Sequence, residues 1–120
     1  MIFISNNGFI RLARGDSFTV PLFINRGTMV TPVRYLIKNH PEASVYLGVM
    51  EPNEPFENAI IKKKYTSTSE VNKNGDLLII FKPNDTLNLL PGKYYYSIKI
   101  DYGNNSVDTI VPNTEFFVVD

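Results

Sequence analysis

The sequence has 120 residues, with Lys+Arg and Asp+Glu both 12 and no cysteine, which suits one domain around one core. Balanced charge argues against nucleic acid as the main partner, since phosphate binding shows as a basic excess; the lack of cysteine excludes disulfides and thiolate metal sites. Residues 1–7 lack a basic start and a long apolar run, so no signal peptide is predicted, and no apolar stretch approaches the ~20 residues of a membrane helix; a soluble product made in a cytoplasm is expected, with no membrane partner.

Aromatic and β-branched residues come in short runs separated by Gly, Pro, Asn and Asp, the pattern of strands and turns. Residues 2–5 and 9–13 flank Asn6-Asn7-Gly8 and predict a hairpin. Arg14-Gly15-Asp16 follows. Adhesion receptors read this tripeptide at the tip of a projecting loop. Here strand formers flank it, so it reads as a turn, with Gly for the bend and Asp for a backbone bond two residues on.

Phe18, Val20, Leu22 and Ile24 then alternate with Thr19, Pro21 and Phe23. Pro21 lacks a donor and marks an edge strand or a bulge, so the edge near Pro21 and Phe23 is expected to be available for pairing. Residues 33–38, bracketed by Pro32 and Pro41, fit helix or strand, with strand favoured. Val45, Leu47 and Val49 alternate with Tyr46, Gly48 and Met50. Residues 51–59 predict a proline-bearing loop, 60–66 a solvated strand, 67–76 a polar loop and 77–82 a strand apolar on both faces. Residues 84–90 predict one helical turn capped by Asn84 or Asp85.

The clearest alternation sets Tyr94, Tyr96, Ile98, Ile100 and Tyr102 against Lys93, Tyr95, Ser97, Lys99 and Asp101. After a turn at 103–105, residues 107–111 and 114–119 predict two more strands. The sum is an all-β chain: a single immunoglobulin-like antiparallel β-sandwich over 1–120 with one short helical turn, or alternatively a small closed barrel.

No residue set predicts catalysis, a metal or a cofactor. His40 is the sole histidine, too few for a triad without a nucleophile motif or for catalytic zinc. Glu51, Glu54 and Glu57 recur every third residue but lack the pattern of a calcium loop. Lys62, Lys63 and Lys64 point alternately on a strand and protect an edge.

The aromatics carry more. Phe23, Tyr46, Met50, Tyr95 and Phe117 fall opposite the core faces, and Leu78 and Ile80 oppose Leu77, Ile79 and Phe81. A monomer rarely exposes so rich an apolar surface. With Pro21 and Phe56 added, these residues form the predicted interface: Pro21, Phe23, Tyr46, Met50, Phe56, Tyr95 and Phe117. The competing expectation is that loops 51–59 and 67–76 fold back and cover them. Tyr46 or Tyr95 would also serve as a stacking platform in a carbohydrate-binding or host-adhesion module.

The stretches "GDSFTVPLFIN", "VYLGVMEPN", "FKPNDTLNLLPGKYYYSIKID" and "VDTIVPNTEFFVVD" resemble the immunoglobulin-like modules of bacteriophage virion proteins, nearest the amino-terminal domains of upper baseplate and tail proteins. Gly15 and Asp16 stand where such modules start their first core strand. Leu90, Pro91 and Gly92 with Tyr94 and Tyr96 match their late turn and strand, and Phe116, Phe117 and Val118 their closing strand. The resemblance implies a non-enzymatic structural protein of tail, baseplate or head, assembled in the host cytoplasm, whose partners are other virion proteins and copies of itself. Tail proteins of this kind continue into helical or receptor-binding regions; ending at Asp120 suits an adaptor or decoration piece.

Overall fold

Strands form where apolar and polar side chains alternate, and the computed structural model, which describes residues 8–27 and 32–120, is mostly β. In chain order these are β1 (Ile10–Ala13), β2 (Phe18–Leu22), β3 (Asn25–Gly27), β4 (Pro32–Arg34), β5 (Ser44–Met50), β6 (Ile61–Tyr65), β7 (Leu77–Phe81), the one-turn helix α1 (Pro83–Thr86), β8 (Gly92–Asp101) and β9 (Val107–Val119), with 3-10 turns at Ile37–Asn39 and Phe56–Asn58. The predicted strand at 2–5 lies outside the described residues.

Five strands make the main sheet in the order β1-β9-β8-β5-β6; β2 pairs with β7, and β3 with β4. The described strands thus form separate sheets, not one closed ring. Every described pair is antiparallel except β1 with β9, where Ile10 faces Phe116 and Ala13 faces Val119 in parallel. The expectation of a wholly antiparallel arrangement is corrected at this pair. A parallel pair needs a long connection, and nearly the whole chain supplies it.

β1 exits through the Arg14-Gly15-Asp16 turn, closed by Asp16 N donating to Ala13 O at 3.0 Å. Gly15 has φ +83°, which a side chain would strain. Its N–H donates to Oγ1 of the buried Thr86 at 3.0 Å. Arg14 Nη2 lies 2.8 Å from Asp120 Oδ1. The tripeptide is therefore a short turn tied at both ends to the rest of the fold.

β2–β7 and the main sheet share one buried cluster that includes Ile10, Leu22, Leu47, Ile79, Phe81 and Phe116. On β8 the predicted alternation holds: Tyr94, Tyr96, Ile98, Ile100 and the following Tyr102 are all buried. Two of their hydroxyls reach backbone carbonyls, Tyr94 donating to Leu90 O at 2.7 Å and Tyr96 to Gly8 O at 2.6 Å.

Three local expectations need revision. The strands predicted at 107–111 and 114–119 are one strand. Thr114 faces Tyr96 while Val111 faces Ile98, so a bulge absorbs Pro112 and Asn113 without ending the ladder. Ser97, placed on the outward face by alternation, is buried there and donates to Val111 O at 2.9 Å. Residues 33–38 divide between β4 and a 3-10 turn that buries Ile37. Asp85 closes α1 from inside the helix, its carboxylate accepting Lys82 N at 2.7 Å.

Loop 67–76 is pinned by a buried acid. Asp76 is 2% exposed; its carboxylate accepts from Arg34 Nη1 at 2.7 Å and from Asn72 Nδ2 at 3.3 Å. Without the guanidinium, a desolvated charge would be left with one amide donor. Arg34→Ala is expected to lower the unfolding free energy by about 2–3 kcal/mol. Adding Asp76→Asn should recover part of that loss in urea unfolding; a double variant no more stable than the single one would contradict this charge balance.

Burial pushes the phenols of Tyr65 and Tyr96 up to about 12, from an ordinary value of 10.0. The folded chain holds these protons more tightly than the unfolded one. Their contribution to stability is therefore complete below pH 10 and lost as pH rises through 12. The thermal midpoint should fall across that window, and Tyr65→Phe should flatten the slope. Equal slopes for wild type and variant would remove Tyr65 as a cause.

Candidate functional site

Cross-strand register builds the outer face of the main sheet. Tyr46 stands between Lys64 on β6 and Lys99 on β8, Met50 faces Tyr95, Tyr95 faces Glu115, and Phe117 stands between Lys93 and Arg11. Aromatic rings thus alternate with basic chains. The ammonium of Lys99 lies 4.6 Å from the Phe56 ring centre, that of Lys93 5.7 Å from Tyr95, and that of Lys64 5.8 Å from Tyr46. These distances suit cation–π attraction. Phe9, 47% exposed, meets Phe117 edge-on at 5.9 Å. Hydrogen bonds to Tyr95 and then Glu115 raise the pKa of Lys93, and its Nζ lies 3.4 Å from Glu115.

The loop at 51–59 folds onto this face. A turn closes with Glu54 N donating to Glu51 O at 3.1 Å, and Asn53 sits at φ +67°. The chain then forms the 3-10 turn Phe56–Asn58 and returns to the sheet, Ile60 N donating to Val49 O at 2.8 Å. Gly48 makes room for it: a Cβ there would stand 3.0 Å from Phe56 and 3.1 Å from Ala59.

Met50, two residues along the same face, is 1% exposed. Its expected place in an interface is corrected, because this end of β5 is covered by the chain's own loop. Covering is incomplete elsewhere: Tyr46, Phe56, Tyr95 and Phe117 remain half-buried.

Between the 51–54 turn and the strands β8 and β9 lies a cleft of about 450 Å³, lined by Glu51, Pro52, Asn53, Glu54, Lys93, Tyr95 and Asn113. Glu54 is held in place by Asn58 Nδ2, which donates to its Oε2 at 3.0 Å. Of these residues, the sequence pattern singles out Tyr95 for binding, and Glu51 and Glu54 as part of a carboxylate cluster suited to calcium or acid–base chemistry. Asn53 and Asn113 carried no local signal.

The other predicted interface residues sit on the second layer. Thr19 faces Ile80 and Pro21 faces Leu78 on the outer side of β2–β7, where Pro21, Leu78 and Ile80 are half-exposed. Phe23, just past β2, is 41% exposed with the Arg34 guanidinium 4.9 Å from its ring centre. The predicted interface therefore divides between two faces.

The remaining candidates resolve simply. His40 stacks on Tyr35 with ring centres 4.1 Å apart. Among the described residues no group of three His, Asp or Glu side chains could hold a metal ion. Lys63 turns in to Asp85 at 2.9 Å, while Lys62 and Lys64 point out, as the strand period requires.

No family model matches the sequence, and no curated protein matches it.

Gly48→Val should lift Phe56 and Ala59 off the sheet, costing about 1–3 kcal/mol as an overpacking change and speeding protease cleavage within 51–59. An unchanged urea midpoint with an unchanged cleavage pattern would mean the loop does not depend on that vacancy.

Proposed function

We propose that this chain is a non-enzymatic immunoglobulin-like β-sandwich that docks on a larger protein assembly through apolar side chains its own fold leaves uncovered. The assembly is a bacteriophage virion, at the tail, baseplate or head, put together in the host cytoplasm; that setting rests on the sequence resemblance. Two features favour the immunoglobulin-like reading. The main sheet ends at one edge in a parallel pairing of its first and last described strands, and it shares its core with the β2–β7 pair. Tyr94, just past a helical corner, bonds back to Leu90 O, as the tyrosine corner of such sandwiches does.

The observation that carries docking is the outer face of β2–β7. Pro21, Leu78 and Ile80 are apolar, contiguous by register and half-exposed on a layer only two strands wide. Phe23 continues the patch. Pro21 has no N–H to offer along the edge of β2, which disfavours strand addition there. Side chains packing face-on against a partner is the favoured mode, with apolar burial at ~25 cal/mol per Å² as the driving force.

Leu78→Lys with Ile80→Lys changes only outward positions, so folding should be retained. Light scattering should find concentration-dependent association for wild type and none for the double variant. Mass spectrometry of purified phage particles should detect the wild-type chain, and the variant should be depleted from them at least tenfold. Absence of the wild-type chain from particles would overturn the virion setting, and equal incorporation of the variant would overturn the docking face.

A further inference from the structure

We infer that the cleft beside Tyr95 is a binding site for a neutral saccharide of one or two rings. It lies on the outer face of the main sheet, away from β2–β7, and does not depend on the docking face being used.

The chemistry of the lining selects the ligand class. Tyr95 supplies an aromatic surface, and around it stand two amides, Asn53 and Asn113, and two carboxylates, Glu51 and Glu54, with the ammonium of Lys93 at the side already held by Tyr95 and Glu115. A sugar ring has an apolar C–H face and a rim of hydroxyls that both donate and accept. One ring surrounded by amide and acid groups matches that pattern, because amides both donate and accept and carboxylates accept, as a sugar's hydroxyls require. The volume of about 450 Å³ lies within the usual range for small-ligand pockets, ~300–1,000 Å³.

Other ligand classes fit less well. A phosphate or other anion would meet the glutamates, and the one lysine is already engaged by Glu115 and Tyr95. An apolar ligand would take water from the Asn53 and Asn113 amides and the Glu51 carboxylate without replacing its hydrogen bonds. A peptide adding as a strand would have to use the β9 edge that β1 leaves uncovered before Phe116, and pairing there would not engage the Tyr95 ring, which lies on β8.

The cleft is also held in shape before any ligand arrives. The turn at 51–54 is closed by its backbone bond, Asn58 holds Glu54, Tyr95 is paired on both sides, to Met50 and Glu115, and Lys93 is paired to Phe117. Such preorganisation reduces the entropic cost of binding.

The test is native affinity electrophoresis of the full chain in gels carrying a neutral glucan, mannan or galactan, with an array of neutral di- to tetrasaccharides beside it. At least one probe should bind. Tyr95→Ala should weaken that binding at least tenfold and Asn113→Ala several-fold. Tyr95→Phe, which keeps the ring, should retain most of it and guards against a folding defect. Tyr46→Ala, outside the cleft, should change nothing. Binding to none of the probes would overturn the assignment, as would binding insensitive to Tyr95→Ala and Asn113→Ala, or equal loss with Tyr46→Ala. Binding of a poly-lysine peptide with no neutral saccharide bound would also overturn it, assigning the cleft to a cationic ligand.

Discussion

Everything in this fold leans on a run of stacked rings that joins its two layers. Phe18 on β2 stacks on Phe81 of β7 at 4.9 Å, Phe81 meets Phe116 of β9 at 5.7 Å, and Phe116 meets Tyr96 of β8 at 6.3 Å. These rings reach from the two-stranded layer into the centre of the main sheet, and the last three are fully buried. Large aromatic surfaces contribute most of the burial energy in a small core. Because Phe116 lies on β9 and Tyr96 on β8, the same contacts fix which face of the main sheet is inward. The outward face, with its rings and lysines, is what remains.

That division explains the different character of the two surfaces. On β2–β7 Pro21 faces Leu78 and Ile80 faces Thr19, so no charge stands opposite these side chains across the pair, while Lys63, Lys64, Glu70 and Lys82 rim the Ile80 end. On the main sheet each outward ring faces a polar or basic residue on an adjacent strand. Aromatic surface interleaved with ammonium and carboxylate groups stays hydrated more readily than a plain apolar patch. One sequence thus presents an apolar patch with a charged rim on the thin layer and a wet, ring-studded surface on the broad layer.

Much of the strand content was legible because it is local. The alternation of β8 needs only a period of two, and Tyr94 through Tyr102 obey it. Misreadings arose where a distant partner decided the outcome. Pro112 looks like the end of a strand until the bulge against Ser97 gives it a place outside the ladder. Met50 looks outward until the loop beyond Gly48 closes over it. The cleft was the least legible feature. Its residues come from the 51–54 turn, the start of β8 and the bulge of β9, and nothing in any one segment reveals that the others will stand beside it.

The parallel seam between β1 and β9 also bears on how the molecule is made. Arg14 and Asp120, which close that seam, are 106 positions apart. At a synthesis rate of about 5–20 residues per second, β1 would leave the ribosome some ~5–20 s before its mate exists. During that wait Ile10 and Leu12, both buried at the end, have no strand to lie against. Docking of β1 is then a late step of folding, timed by the arrival of β9.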